Sequence, residues 1–209
     1  MSIAERSSTK CLPLESGDRL TRAEFERRYS TRHDIKKAEL IEGVVYVSSP
    51  VRTEDHGRPH FIANTWLGVY FARTEGIVPA TDSTVKLDLD NEVQPDLYFA
   101  WDEAHGGRAR LVDGYLEGAP DLVVEVSASS ASHDLGAKMN VYRRNGVREY
   151  VVWQILEERI DWFRLANGVY EAVAPNAEGV VESSVFSGLR LDVAAMLRGD
   201  LAAVLAAME

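Results

Sequence analysis

The stretch Pro120 to Tyr150, PDLVVEVSASSASHDLGAKMNVYRRNGVREY, constrains the fold more than any other part of the chain. It opens on an apolar run, Leu122-Val123-Val124, that reads as a buried strand, with an acid, Glu125, where that run would leave a core. Small polar residues follow from Ser127 to Ser132. A helix comes next, and Asp134, Lys138 and Tyr142 fall on one face of it at spacings of four. After Gly146 a second apolar strand runs from Glu149 to Trp153. This strand–helix–strand unit presents a carboxylate at a strand end and a lysine on the next helix.

The flanking segments keep to the same mixture of elements. Residues 1–18 are polar and lack periodicity, which predicts a flexible arm, with one domain over 19–209. Thr21 with Glu24 three residues on has the capping-box pattern and predicts a short helix to about Ser30. Ala38 to Ser49 reads as strand–turn–strand about Glu42-Gly43. Phe61 to Arg73 carries a helical stripe, and Ile77 to Leu89 returns to strand. A further strand covers Glu92 to Trp101, and Asp102 to Glu117, with Gly106-Gly107 and many charges, reads as a surface excursion. Beyond the central unit, Glu157-Glu158 and Asn167-Gly168 are the turns of a meander that continues through Tyr170 to Ala174. Asp192 is placed to cap a final helix, and Leu201 to Met208 forms a second helical piece. The pattern is mixed α/β: a mixed sheet flanked by helices.

At 209 residues, 45% of them hydrophobic, the chain can bury a real core. A net charge of -10 excludes a general polyanion binder, so contact with nucleic acid requires a local basic patch. One cysteine, Cys11, excludes an intrachain disulfide and a cysteine-based zinc cluster. With no signal-peptide core and no apolar run of membrane-span length, a cytoplasmic protein is expected.

Four acids stand out: Glu42, Asp96, Asp121 and Glu125. Asp96 and Glu125 lie inside apolar strand runs, where a charge is expensive unless paired or bound to a cation. Two converging carboxylates suit a hard cation such as Mg²⁺, which polarises a phosphoryl oxygen and acidifies water. Asp121 and Glu125 sit four residues apart in one strand, roughly 13 Å, too far to share an ion directly. Asp96 comes from another strand and can lie alongside, so Asp121 is assigned to the start of its strand. Lys138 can reach back over the end of the Glu125 strand. The alternative for Asp134 and Lys138 is an ordinary surface pair, and for Tyr142, core packing.

Pro95-Asp96, then Glu125-Val126-Ser127, then Lys138 resembles the PD-(D/E)XK nuclease superfamily, with its restriction-endonuclease-like fold. The chain looks more closely like the Uma-type endonuclease family. Carrying that likeness are Glu39-Leu40-Ile41-Glu42-Gly43, Ser49-Pro50 with His56, the run Gly118 to Ser127, Asp134-Leu135-Gly136-Ala137-Lys138 with Tyr142, and Gly146-Val147-Arg148-Glu149-Tyr150. The resemblance spans about residues 20 to 165. It implies phosphodiester cleavage in DNA with Mg²⁺, or Mn²⁺ in its place. Asp96 and Glu125 would be metal ligands, Glu42 the early helper acid and Lys138 the lysine of the site, moved from strand to helix. Ser127 stands where the superfamily pattern has lysine, and Gln154 where the close family has an acid.

His56 matches a family position, as a phosphate contact or a support, or else is a solvent-side loop histidine. His60, His105 and His133 show no metal-ligand spacing. Ser127, Asp134 and Tyr142 are candidate accessory groups. Arg52, Arg58, Lys86, Arg143 and Arg144 would form a basic rim, and the Trp162-Phe163 strand would serve a homodimer interface. Against the nuclease stand two alternatives: a catalytically weakened relative acting as a nucleic-acid-binding or protein-interaction module, and an unrelated α/β domain whose acids are structural and far apart.

Overall fold

The computed structural model describes residues 12–50 and 52–208; Cys11 and the first part of the expected arm lie outside them. Leu14, from the remainder of that arm, is buried with Phe25 and Leu40. The Thr21 hydroxyl accepts from the Glu24 amide and so starts α1 (Arg22–Tyr29). β1 (Ala38–Ile41) and β2 (Val44–Val47) form the expected hairpin. Glu42 and Gly43 both have positive φ, 52° and 71°, which lets a two-residue turn follow the strand twist. A π-helical turn at Thr53–Gly57 leads into α2 (Arg58–Phe71), with Pro59 in the first turn, where no amide is needed.

The segment expected as one strand from Ile77 to Leu89 is two. β3 (Ile77–Thr81) and β4 (Val85–Lys86) belong to different sheets, separated at Asp82, whose φ is +48°. β5 (Glu92–Val93) and β6 (Leu97–Trp101) split in the same way. The surface excursion contains a hairpin, β7 (Arg110–Val112) and β8 (Tyr115–Glu117), and β8 runs parallel to β4. The central unit is β9 (Leu122–Ser127), α3 (Ala131–His133), a π-helical turn at Asp134–Lys138, α4 (Met139–Asn145) and β10 (Glu149–Gln154). The meander follows as β11 (Arg159–Ala166) and β12 (Val169–Ala172), then a ribbon of β13 (Val180–Glu182) and β14 (Arg190–Asp192). Asp192 and Asp200 cap α5 (Val193–Leu197) and α6 (Leu201–Ala206) through the Ala195 and Ala203 amides.

Two six-stranded mixed sheets result, ordered β2-β1-β5-β4-β8-β7 and β12-β11-β10-β9-β6-β3. In the second, β9 and β10 pair in parallel from Leu122↔Glu149 to Ser127↔Gln154. A parallel pair needs a crossover, supplied by the helical segment 131–145. Both strands are buried along their whole length, which is why they read as continuous apolar runs. One face of this sheet packs on α2, α5 and α6 through Trp66, Leu97, Phe99, Val124, Val151 and Met196. The other packs on α4 and the first sheet through Tyr98, Val123, Val141, Tyr142, Tyr150 and Val152.

One expectation fails here for a reason of packing, and one holds with an addition. Trp162 is only 2% exposed and meets Trp66 edge-on, ring centroids 6.1 Å apart, so it serves the core and not a homodimer interface. Asp121 does mark a strand start, but it is buried: its Oδ2 accepts from the Trp101 amide at 2.9 Å and Arg148 lies 3.3 Å from Oδ1. A further buried acid, Glu149, accepts from the Ser183 hydroxyl and from the amide and hydroxyl of Ser184, tying the segment after β13 to β10.

Glu92 packs beside Glu26, whose carboxylate Lys86 approaches to 3.0 Å. Burial, and then the neighbouring Glu26, push the Glu92 carboxyl up to about 8. A carboxyl raised in the folded state stabilises most below its unfolded value, and that stability is lost as pH climbs towards 8. Urea unfolding of Glu92→Gln should therefore match the parent at pH 4 and exceed it at pH 8; a parallel pH dependence in the two proteins would contradict this.

Candidate active site

The site grows from the pairing of β6 with β9. Their antiparallel register runs Phe99↔Leu122, Tyr98↔Val123, Leu97↔Val124. One step further, Asp96 falls opposite Glu125. Opposed residues of an antiparallel pair share a face, with Cβ atoms about 4.5–5.5 Å apart. The side chain takes over where the ladder ends: Asp96 Oδ2 accepts from the Val126 amide at 2.8 Å. Both acids are buried, at 4% and 3% exposure, on the face that looks toward α4 and the first sheet.

The helical segment after β9 brings the lysine. It kinks at Gly136, whose backbone is non-helical, within the π-helical turn that ends at Lys138. Such turns cluster at functional sites because they re-aim side chains. Lys138 Nζ lies 2.8 Å from Glu125 Oε1, 3.1 Å from Glu39 Oε1 and 3.9 Å from Asp134 Oδ1. The Tyr142 hydroxyl donates to the same Glu125 oxygen at 2.9 Å. Ser127 and Ser130 donate to Asp134 Oδ2 at 2.6 and 2.7 Å. Asp134, Lys138 and Tyr142 thus share a face as their spacing requires, and that face is inside, not a solvent-exposed pair. Ser127 anchors the helix through Asp134.

A second set surrounds Asp96 from the other side. Lys37 Nζ is 3.1 Å from Asp96 Oδ1 and 3.5 Å from Asp82 Oδ1. His56 Nδ1 donates to the Val126 carbonyl at 3.1 Å, which turns Nε2 toward Asp96 Oδ1, 3.6 Å away. It therefore lies beside Asp96 and is not a solvent-side histidine. His60, four residues on along the helical path, donates from Nε2 to the Asp96 carbonyl at 3.1 Å; Asp82 Oδ2 lies 3.6 Å from the same nitrogen.

Glu42 has no place in this cluster. It occupies the hairpin turn, half-exposed, and pairs with Arg144 at 3.2 Å. The acid that β1 delivers is Glu39, buried and accepting from the Gln94 amide at 2.7 Å as well as from Lys138. Alternation could have found it: Glu39 shares a strand face with Ile41, which faces the core. Lys37 shares that parity. The basic rim also thins. Lys86 binds Glu26, Arg144 binds Glu42, Arg143 donates to the Gly168 carbonyl and Arg52 lies 3.7 Å from Asp55, while Arg58 is exposed. Gln154 donates to Asp161 on β11.

Four buried carboxyl groups, Glu39, Asp96, Glu125 and Asp134, meet two ammonium groups, Lys37 and Lys138, so that with every acid ionised two negative charges would be in excess. Burial pushes the Glu125 carboxyl up to about 8; Lys138 opposes this, and Asp96, Asp134 and Glu39 add to it. Burial acts to raise Asp96 too, but Lys37, Lys138, the Val126 amide and His56 outweigh it and hold that carboxyl below its usual value. Burial opposes the charge on Lys138, yet Glu125, Glu39 and Asp134 raise it well above the ordinary lysine value. The oxygen donors and the uncompensated charge fit a divalent cation. Separately, His60, Asp82 and Asp96 place ligand atoms within 4.8 Å of one another.

The sequence model of the Uma2 family, described as "Putative restriction endonuclease", matches residues 22–194. No curated protein matches the chain. Among solved structures, a nuclease described as "putative" and belonging to DUF820, from Anabaena variabilis, superposes with a TM-score of 0.61 at 14% identity. The match covers 78% of this chain and 90% of that one. At that identity the likeness shows the fold, restriction-endonuclease-like, and nothing finer. With a family match over most of its length and the order Glu39, Asp96, Glu125, Lys138 gathered at one sheet end, the chain belongs to the Uma2 restriction-endonuclease-like family.

Proposed function

We propose that the protein is an endonuclease that hydrolyses phosphodiester bonds of DNA with a divalent cation, Mg²⁺ or Mn²⁺, held by Asp96 and Glu125. The observation that carries this reading is the placement of Asp96, just before β6, beside the Glu125 end of β9, within a buried cluster that holds more carboxyl than ammonium groups. When bound, such an ion supplies a Lewis acid that polarises the phosphoryl group and acidifies water. The chain's own residues prepare the place for it. The Val126 amide fixes the Asp96 carboxylate, and Lys138 and Tyr142 hold Glu125 by one oxygen. Lys138 is enclosed by carboxylates, so it positions Glu125 and Glu39 rather than touching substrate. His56 is turned toward Asp96, and the segment that carries it also carries the exposed Arg52 and Arg58.

Supercoiled plasmid incubated with the protein and Mg²⁺ or Mn²⁺ should be nicked or linearised, and EDTA should stop the reaction. Single-stranded DNA and RNA run beside it define the substrate. No cleavage of any of the three with either metal would overturn this reading and favour the non-catalytic binding module.

A further inference from the structure

We propose that Lys37 is a tethered cation that occupies the second ion position beside Asp96, so that the protein holds one divalent ion where its ligand set would otherwise accept two. This rests on the assignment of Asp96 and Glu125 as the first ion's ligands.

The argument starts from the geometry between Asp82 and Asp96. Their carboxylates and His60 bring ligand atoms within 4.8 Å of one another, a span that one ion can bridge. An ion of Mg²⁺ size would sit ~2.1 Å from each oxygen it binds. Lys37 Nζ already bridges the same two carboxylates, 3.1 Å from Asp96 Oδ1 and 3.5 Å from Asp82 Oδ1. Ammonium and ion cannot share the gap, on grounds of both volume and charge. The third group is committed as well, because His60 Nε2 donates to the Asp96 carbonyl and lies 3.1 Å from the Thr81 hydroxyl. On the Glu125 side the arrangement differs. Lys138 approaches Glu125 and Glu39, and no hydrogen bond or ion pair among the described residues joins it to Asp96.

Local structure explains why Lys37 is the residue in place. It lies just before β1 on the parity of Glu39, so the strand that delivers the buried acid Glu39 also delivers this lysine. Its side chain is 24% exposed, against 4% for Lys138. It therefore sits at the rim, where removing it opens the gap without collapsing the core. A lysine has one advantage over a second ion: its charge is always present and independent of ion concentration.

The test is a Mn²⁺ titration of the full chain, read by the loss of free-ion electron paramagnetic resonance signal and by calorimetry. The parent should bind one ion, lost in Glu125→Gln. Lys37→Ala should bind a second, and that second ion should disappear in Lys37→Ala combined with Asp82→Asn. Lys37→Arg, which keeps the charge, should bind only one. An unchanged stoichiometry in Lys37→Ala, or a second ion in Lys37→Arg, would overturn the proposal. The two readings fail separately. Glu125-dependent binding without a gain in Lys37→Ala defeats this inference alone. No ion in the parent but an Asp82-dependent ion in Lys37→Ala upholds the displacement of an ion by Lys37 and defeats the assignment of Glu125.

Discussion

On the proposed function, replacing Asp96 with asparagine should lower DNA cleavage by on the order of a thousandfold or more, the scale of losing a metal-borne contribution of several kcal/mol to the transition state. The fold itself should survive. An amide oxygen can still accept from the Val126 amide, which now meets Asp96 Oδ2 at 2.8 Å. The cluster also loses one of its four buried carboxyl groups, and the Glu125 carboxyl, which Asp96 helps to raise, relaxes toward its usual value. The lowered Asp96 carboxyl means that its charge stabilises the folded state at neutral pH, so thermal unfolding of Asp96→Asn should remain cooperative and fall modestly below the parent temperature while plasmid cleavage is lost. Glu42→Ala is the control: it removes a half-exposed turn residue paired to Arg144 and should cleave like the parent. Asp96→Asn with full activity, or with a collapsed melting temperature, would refute the assignment.

Lys138→Met goes further and loses both properties. Lys138 is 3% exposed and stands among Glu125, Glu39 and Asp134. Removing the cation while leaving the acids exposes uncompensated buried charge, which costs about 3–5 kcal/mol in comparable buried pairs. The deficit should depend on pH with a definite sign. Burial already pushes Glu125 up to about 8 with Lys138 opposing it, so without the lysine that carboxyl rises further. A raised carboxyl stabilises the folded state at low pH and ceases to do so as pH rises through its folded value. Urea unfolding should find Lys138→Met close to the parent near pH 5 and weakest at pH 8 to 9. Adding Glu125→Gln should recover part of the loss at high pH. A deficit that does not change between pH 5 and 9 would show that the lysine matters only through packing.

Much of this architecture was legible in the residues because it is local. Alternation and apolar runs locate β9 and β10, and the spacing of Asp134, Lys138 and Tyr142 places them on one helix face. The Thr21 cap, the Glu42-Gly43 turn and the Asp192 cap each announce themselves in a few neighbouring positions. The pairing of Asp96 with Glu125 was also readable, since each is a charge inside an apolar run that must find compensation. Applied to β1, the same criterion selects Glu39; the family likeness drew attention instead to Glu42, which the turn directs outward. The burial of Trp162 was not legible in its own strand, because the C-terminal helices and Trp66 that cover it come from distant parts of the chain.

The sequence by itself determined which segments are strands and helices, which acids could not be idle, and to what family the chain is similar. Tertiary structure alone decided that β3 and β4 enter different sheets, that Lys37, His56 and His60 converge on Asp96, and that Lys138 joins Glu39 to Glu125. The division has a physical cause. Periodicity and capping act over one or two turns of chain, so they are written in adjacent residues. The site is made of side chains from β1, α2, β6, β9 and α4, and their distances follow only from strand order and register, which depend on how the whole apolar surface is buried at once.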